Sequence, residues 1–114
     1  MQRDSETLLC DAIEAGRLIA EFADKLSEES YLASSLHRSA IERQLFIIGE
    51  ALAQVSRIDR ELFDSIPYAP RIVSFRNLLA HGYAEVDDSR VWVIVEHDLP
   101  ETLKNIETHP HTRG

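Results

Sequence analysis

The chain has 114 residues, 44% of them hydrophobic and 28% charged, with a single cysteine. That profile specifies one soluble globular domain with one core and excludes an internal disulfide. Its apolar runs are too short to cross a bilayer, and a formal net charge of −8 excludes a broad, sequence-blind nucleic-acid binder.

The opening segment, Met1 to Glu6, lacks the basic-then-apolar order of a secretion signal, so a cytoplasmic location is expected. Asp4 or Ser5 caps a first helix on which Leu8, Leu9, Ala12, Ile13, Leu18, Ile19, Phe22 and Leu26 recur at three- and four-residue steps. Cys10 adjoins this stripe and reads as a small core residue. Ser27 to Ser30 reads as a turn. A second, longer helix is predicted from about Tyr31 to Ser56, with Leu32, Leu36, Ala40, Ile41, Leu45, Ile48, Leu52 and Val55 as its apolar stripe. Gly49 costs that helix roughly 1 kcal/mol relative to alanine, which a close helix crossing would justify.

Asp59 caps a short helix that stops at Ile66-Pro67, because the residue before proline avoids the helical region. Pro70 suits the first turn of the next helix, which runs through Ile72, Phe75 and Leu79 and ends at Gly82. Asp87, Asp88 or Ser89 caps a last helix with Val91, Trp92, Val95, Leu99, Leu103 and Ile106 on its core face, kinked or divided at Pro100. The expected fold is all-α: an antiparallel up-and-down bundle of four main helices plus one short helix over residues 1–108. Residues 109–114, without an apolar anchor, are expected to form a disordered tail.

Chemistry concentrates at the end of the third main helix, in Arg76-Asn77-Leu78-Leu79-Ala80-His81-Gly82-Tyr83. From Ser65 to Ala84 the chain has neither Asp nor Glu, while Arg71 and Arg76 supply positive charge. A local cationic island in an anionic protein is what focused phosphate handling requires. At 100° per residue Asn77 and His81 share a face directed away from the core stripe, whereas Arg76 and His81 diverge by about 140°. The two meet at one substrate only if the helix loosens near Gly82 or a second copy brings its own motif alongside, so a symmetric dimer is expected.

Imidazole can exchange a proton with an RNA 2′-hydroxyl or a leaving 5′-oxygen, and a neighbouring guanidinium can stabilise a pentacovalent phosphate. These parts suffice for RNA cleavage without a metal or other cofactor. The same residues allow a plainer reading, in which Asn77 and His81 close off the helix end and Arg76 pairs with a carboxylate such as Glu50. Arg43 and Glu50, seven apart on the second helix, form either a polar seam facing the motif or two unrelated surface charges. His37, His97, His109 and His111 have no partners at metal-ligand spacing. Trp92 reads as core or dimer interface, and Asp87-Asp88 as a helix cap and not a metal pair.

The Arg76-Asn77-(three residues)-His81-Gly82-Tyr83 segment resembles the Arg-x4-His-x-Tyr signature of the HepT-like branch of the HEPN superfamily. Ile41 to Ala51 is similar to that branch's second-helix segment, and Val91 to Pro100 to its last helix. The resemblance implies a homodimeric helical-bundle toxin that cleaves RNA, mRNA or tRNA, without a metal, in a type VII-like HEPN/MNT toxin–antitoxin system. It further implies that Arg76 and His81 are catalytic, that Asn77 supports them, and that an MNT-type nucleotidyltransferase antitoxin attaches AMP to Tyr83. Arg43 and Glu50 are supporting candidates. The alternative from another class is a non-catalytic bundle acting as the interaction or substrate-binding subunit of a separate nucleotidyltransferase.

Overall fold

A computed structural model describes residues 4–81 and 86–108 of the chain. The expectations for Gly82 as a helix end, for Tyr83 and for the tail 109–114 lie outside the described residues. Among those described, every regular element is helical: α1 (Ser5–Ala23), α2 (Glu28–Ala33), α3 (Ser35–Ile58), α4 (Arg60–Asp64), α5 (Ala69–Ala80), α6 (Asp88–Val93) and α7 (Leu99–Thr108). A π-helical segment, Ile94–Asp98, joins α6 to α7. The expected all-α bundle is what the chain forms, with α1, α3, α5 and the joined α6–α7 as its four main rods.

Each start has a local cause. Asp4 Oδ1 accepts from the Thr7 amide at 2.8 Å, and Asp87 Oδ1 accepts from Ser89 and Arg90 at 3.0 and 3.4 Å. Asp59 does the same for α4 through the Leu62 amide at 3.0 Å. These side chains satisfy amides that the first helical turn leaves without partners.

Two segments differ from the sequence expectation. Ser27 to Ser30 is not a plain turn: Ser27 and Ser30 form a reciprocal capping box, at 3.1 and 2.8 Å, that launches α2. The long helix therefore does not begin at Tyr31. Ser34 adopts an extended conformation, φ −116° and ψ 103°, and its hydroxyl receives the His37 amide as α3 starts afresh. The break shifts the helical phase, so Leu32 is exposed and Leu36 is 76% exposed, instead of lying on the core stripe. Tyr31, which the break turns inward, is fully buried against Trp92 with ring centroids 5.2 Å apart.

At Pro100 the last helix is divided, as expected, into α6 and α7, and the division is a π-helical turn and not a gap. Proline lacks an N–H and its ring excludes the carbonyl four residues back. The chain accommodates it by widening one turn, so that the Leu99 amide bonds to the Ile94 carbonyl, five residues away, while the flanking residues keep helical dihedrals.

The central rod is α3. Leu8 lies level with Ala51 and Gln54, and Leu18 with Gln44, so α1 runs antiparallel to α3. Gly49 meets Ile72 and Arg76, whereas Glu42 and Phe46 lie level with Leu79 and Ala80, so α5 is antiparallel to α3 on its other flank. Leu9, Ile19, Ile41, Leu45, Ile48 and Leu52 fill the resulting core. Cys10 is exposed and not a core residue. With Leu9 taken as zero, the buried residues of α1 span about −120° to +40°, and Cys10 falls near 100°, beyond that arc.

Candidate active site at the end of α5

The site is built on the α3–α5 crossing. A Cβ placed on Gly49 would lie 2.3 Å from Arg76 Cβ and 3.2 Å from the Ile72 carbonyl oxygen. Glycine thus lets the two backbones approach more closely than any side chain would allow. One residue further along α3, Glu50 reaches the Arg76 head. Its Oε2 accepts from Arg76 Nε at 2.9 Å and from Nη2 at 2.6 Å. Arg76 Nη1 donates to Asn77 Oδ1 at 2.5 Å.

Five N–H donors belong to a guanidinium, and three are engaged here, leaving two. The head is largely shielded, at 22% exposed, and charge-assisted bonds on two sides fix its plane. The plainer expectation, Arg76 paired with Glu50, is therefore correct as geometry. It also makes Arg76 a held group and not a mobile one.

His81 ends α5. Its amide bonds back to the Asn77 carbonyl at 3.2 Å, and its backbone, φ −87° and ψ 0°, is the last of the helical run. Asn77 and His81 are both exposed, on the face expected for them. On the core side Ile72 and Phe75 are buried, while Leu79 is only half-buried because it borders a groove.

That groove, about 420 Å³, runs between α3 and the end of α5 and is lined by Ser39, Glu42, Arg43, Phe46, Leu79 and Ala80. A second hollow of about 210 Å³ shares Arg43 and Phe46 with the first and is bordered by Glu50. The Arg43 guanidinium lies 5.8 Å from the Phe46 ring centre. The two supporting candidates thus divide: Glu50 joins the motif directly, whereas Arg43 borders both hollows beside it.

Glu42 was not singled out by sequence. Burial raises its pKa above the usual carboxylate range, and the Asp88 carboxylate adds to the effect, while Arg38 partly opposes it. Arg38 Nε sits 3.5 Å from Asp88 Oδ2, which ties the start of α6 to α3. Behind Glu42, the Tyr31 phenol is pushed above the ordinary tyrosine range, chiefly by burial.

Asp98 was also missed. It is fully buried and bonds to both Arg71 and His97. Its three-residue step from Val95 and four-residue step to Thr102 put a carboxylate in the apolar stripe, a signal legible in retrospect. His97 was considered only as a metal ligand. Among the described residues no group of His, Cys, Asp and Glu is arranged to hold a metal ion. No helix of the described residues is long and apolar enough to cross a membrane.

The chain is similar to known proteins over most of its length. The profile of a family described as "Ribonuclease HepT-like" matches residues 12–108. A Thermococcus cleftensis protein named "Probable ribonuclease HepT" is 33% identical, covering 94% of this chain and 96% of its own length. A Methanocaldococcus jannaschii protein named "Putative RNase" is 32% identical over 93% of this chain and 96% of its own, and a second of that name from the same organism is 29% identical. No solved structure is a significant match. A family profile spanning most of the bundle, with relatives alike over nearly their whole length, leaves one conclusion: the chain belongs to the ribonuclease HepT-like family.

Proposed function

We propose that the chain is the toxin of a type VII-like HEPN/MNT pair, a metal-independent endoribonuclease that cleaves RNA through Arg76 and His81. Family membership supports ribonuclease chemistry in general. The observation that carries the residue assignment is the held guanidinium of Arg76, locked by Glu50 and Asn77 five residues before an exposed His81.

An imidazole takes the proton from an RNA 2′-hydroxyl as that oxygen attacks the adjacent phosphorus. The bond from phosphorus to the 5′-oxygen breaks and the leaving oxygen gains a proton, giving a 2′,3′-cyclic phosphate and a free 5′-hydroxyl. The two unengaged N–H groups of Arg76 face the charge that builds on the phosphate, and a donor already oriented needs no reorganisation at that moment. One imidazole cannot be base and acid in the same step. A homodimer supplies His81 twice, which is the physical argument for a paired site.

Silencing by a nucleotidyltransferase partner that adds AMP to Tyr83 completes the proposal. The addition brings negative charge and bulk within two residues of His81, which opposes RNA binding. His81→Ala should abolish cleavage of tRNA and mRNA in chelator-treated buffer while leaving helicity unchanged. Cleavage that persists in that variant refutes the assigned role.

A second reading draws on the same ion pair. Because three Arg76 donors are engaged within the protomer, the motif also suits a non-catalytic interaction or substrate-binding subunit of a separate nucleotidyltransferase. Tight binding of such a partner by a chain that cleaves no RNA selects that reading.

A further inference from the structure

The opposite end of α5 carries a cluster that the cleavage chemistry does not use. Asp98 divides its carboxylate between two partners: Oδ2 accepts from Arg71 Nη1 at 2.9 Å, and Oδ1 pairs with His97 Nδ1 at 2.7 Å. Tyr68 completes the group. Its ring stands edge-on to the His97 ring with centres 5.7 Å apart, and the Arg71 guanidinium lies 5.5 Å from its centre.

The exposures decide what this cluster is for. Asp98 is 0% exposed, whereas the side chains of Arg71 and His97 are 52% and 62% exposed. A buried carboxylate is a poor stabilising device, since an apolar side chain of similar size usually serves the fold as well. Its effect here is to fix the orientation of two donors whose working edges face solvent. Arg71 has one of five N–H groups engaged with Asp98. His97 bonds through Nδ1, so its Nε2 edge is turned away from Asp98.

Two backbone irregularities hold the arrangement. Tyr68 adopts a left-handed conformation, φ 64°, which is strained for a non-glycine residue. The widened turn at Ile94–Asp98 brings His97 and Asp98 to this surface. Thr102 Oγ1 donates to the Pro67 carbonyl at 2.7 Å and fastens the loop before α5 to the last helix.

We infer that Arg71 and His97, walled by Tyr68 and aligned by Asp98, form a second site that takes a phosphate group of an RNA strand. A forked guanidinium and an imidazole converging on one solvent face match a tetrahedral oxyanion. RNA fits better than an acidic protein because Arg71 and His81 share α5, ten residues apart. They are about 15 Å distant along its axis and about 80° apart around it. A strand laid along that helix would reach both. Glu96 and Glu101 are exposed on the neighbouring turns, so the attraction is local and not part of a broad basic field.

This inference rests on the ribonuclease reading, and the experiment separates the two. A 2′-O-methylated oligonucleotide, which cannot be cleaved, is titrated into the full chain and into His97→Gln and Arg71→Lys. Each conservative variant is first checked for unchanged helicity and thermal midpoint. Each should weaken binding by roughly tenfold, because lysine lacks the guanidinium fork and glutamine the imidazole. In parallel, inorganic phosphate should shift the His97 imidazole resonances in the NMR spectrum.

Cleavage of ordinary RNA, with oligonucleotide affinity unchanged in both variants, overturns the second site and leaves the ribonuclease reading intact. A His97 shift by phosphate in a chain that neither binds nor cuts RNA overturns that reading and the RNA assignment, while the phosphate site stands. A shift with an acidic peptide but none with phosphate overturns the site in favour of a protein partner.

Discussion

Gly49 lies against the base of Arg76, so close that a Cβ built on the glycine would fall 2.3 Å from Arg76 Cβ. The obstacle is not a movable side-chain tip. Arg76 Cβ is fixed to its backbone, and the Ile72 carbonyl stands 3.2 Å away on the same helix. Gly49→Ala must therefore push α3 and α5 apart. Overpacking of this kind costs about 1–3 kcal/mol, against a gain of about 1 kcal/mol in helix propensity. A net loss of up to about 2 kcal/mol is expected in urea unfolding, with a matching fall in RNA cleavage as Arg76 shifts. An alanine variant as stable as the parent would show that the crossing is not tight.

Gly16 offers the contrast. A Cβ there would also fall 2.3 Å from a neighbour, but that neighbour is Leu103 Cδ1, the far end of a flexible, half-buried side chain. Leu103 borders a largely apolar groove of about 320 Å³ and has room to turn. The propensity gain of about 1 kcal/mol should then offset the repacking, and Gly16→Ala should change stability by less than about 1 kcal/mol. Equal losses at both glycines would contradict the distinction between a fixed and a movable obstacle.

The bundle was legible because the apolar steps of α1, α5 and the last helix keep one phase over their whole length. Gly49 was legible for a related reason: a glycine inside a long helix costs enough to need a packing purpose. Leu36 was misread because a single extended residue, Ser34, resets the phase, and serine fits equally well inside a helix or at its cap. Cys10 was misread because adjacency to Leu8 and Leu9 was taken for a shared face, though neighbours in a helix differ by about 100°. The Glu50 contact was among the open alternatives, since it pairs residues 26 apart whose meeting depends on which side of α3 receives α5. Asp98 carried a periodic signal in its step from Val95, but its pairing with Arg71, 27 residues away, did not.

Glu50→Gln isolates the alignment of Arg76 from its charge. The pair is partly exposed, at 22% and 36%, so its loss should cost only about 0.5–1 kcal/mol of stability. The effect on chemistry should be larger, because a group displaced by about 1 Å can lose on the order of 100-fold in rate. A fall in cleavage of roughly 10- to 100-fold with nearly unchanged unfolding is the expected pattern. Full activity in Glu50→Gln would mean that Arg76 finds its position without this partner.

Glu42 gives the chain a pH dependence whose sign can be worked out. Burial, and next the Asp88 carboxylate, raise its folded-state pKa above the ordinary 4.5, against the opposing pull of Arg38. Below 4.5 the side chain is protonated in both the folded and unfolded states and has no effect on the balance. As pH rises past that value the unfolded chain releases the proton first, so the unfolded state gains and stability falls until the folded group has also ionised. At neutral pH the unfolded chain carries the charge at this position freely, whereas burial in the folded protein opposes it. Glu42→Gln keeps the shape and removes the charge. Its thermal midpoint should exceed the parent's at pH 7, and the difference should shrink towards zero as the pH is lowered to about 4. A glutamine variant less stable than the parent at pH 7 would mean that Glu42 is held in its charged form by partners stronger than its burial.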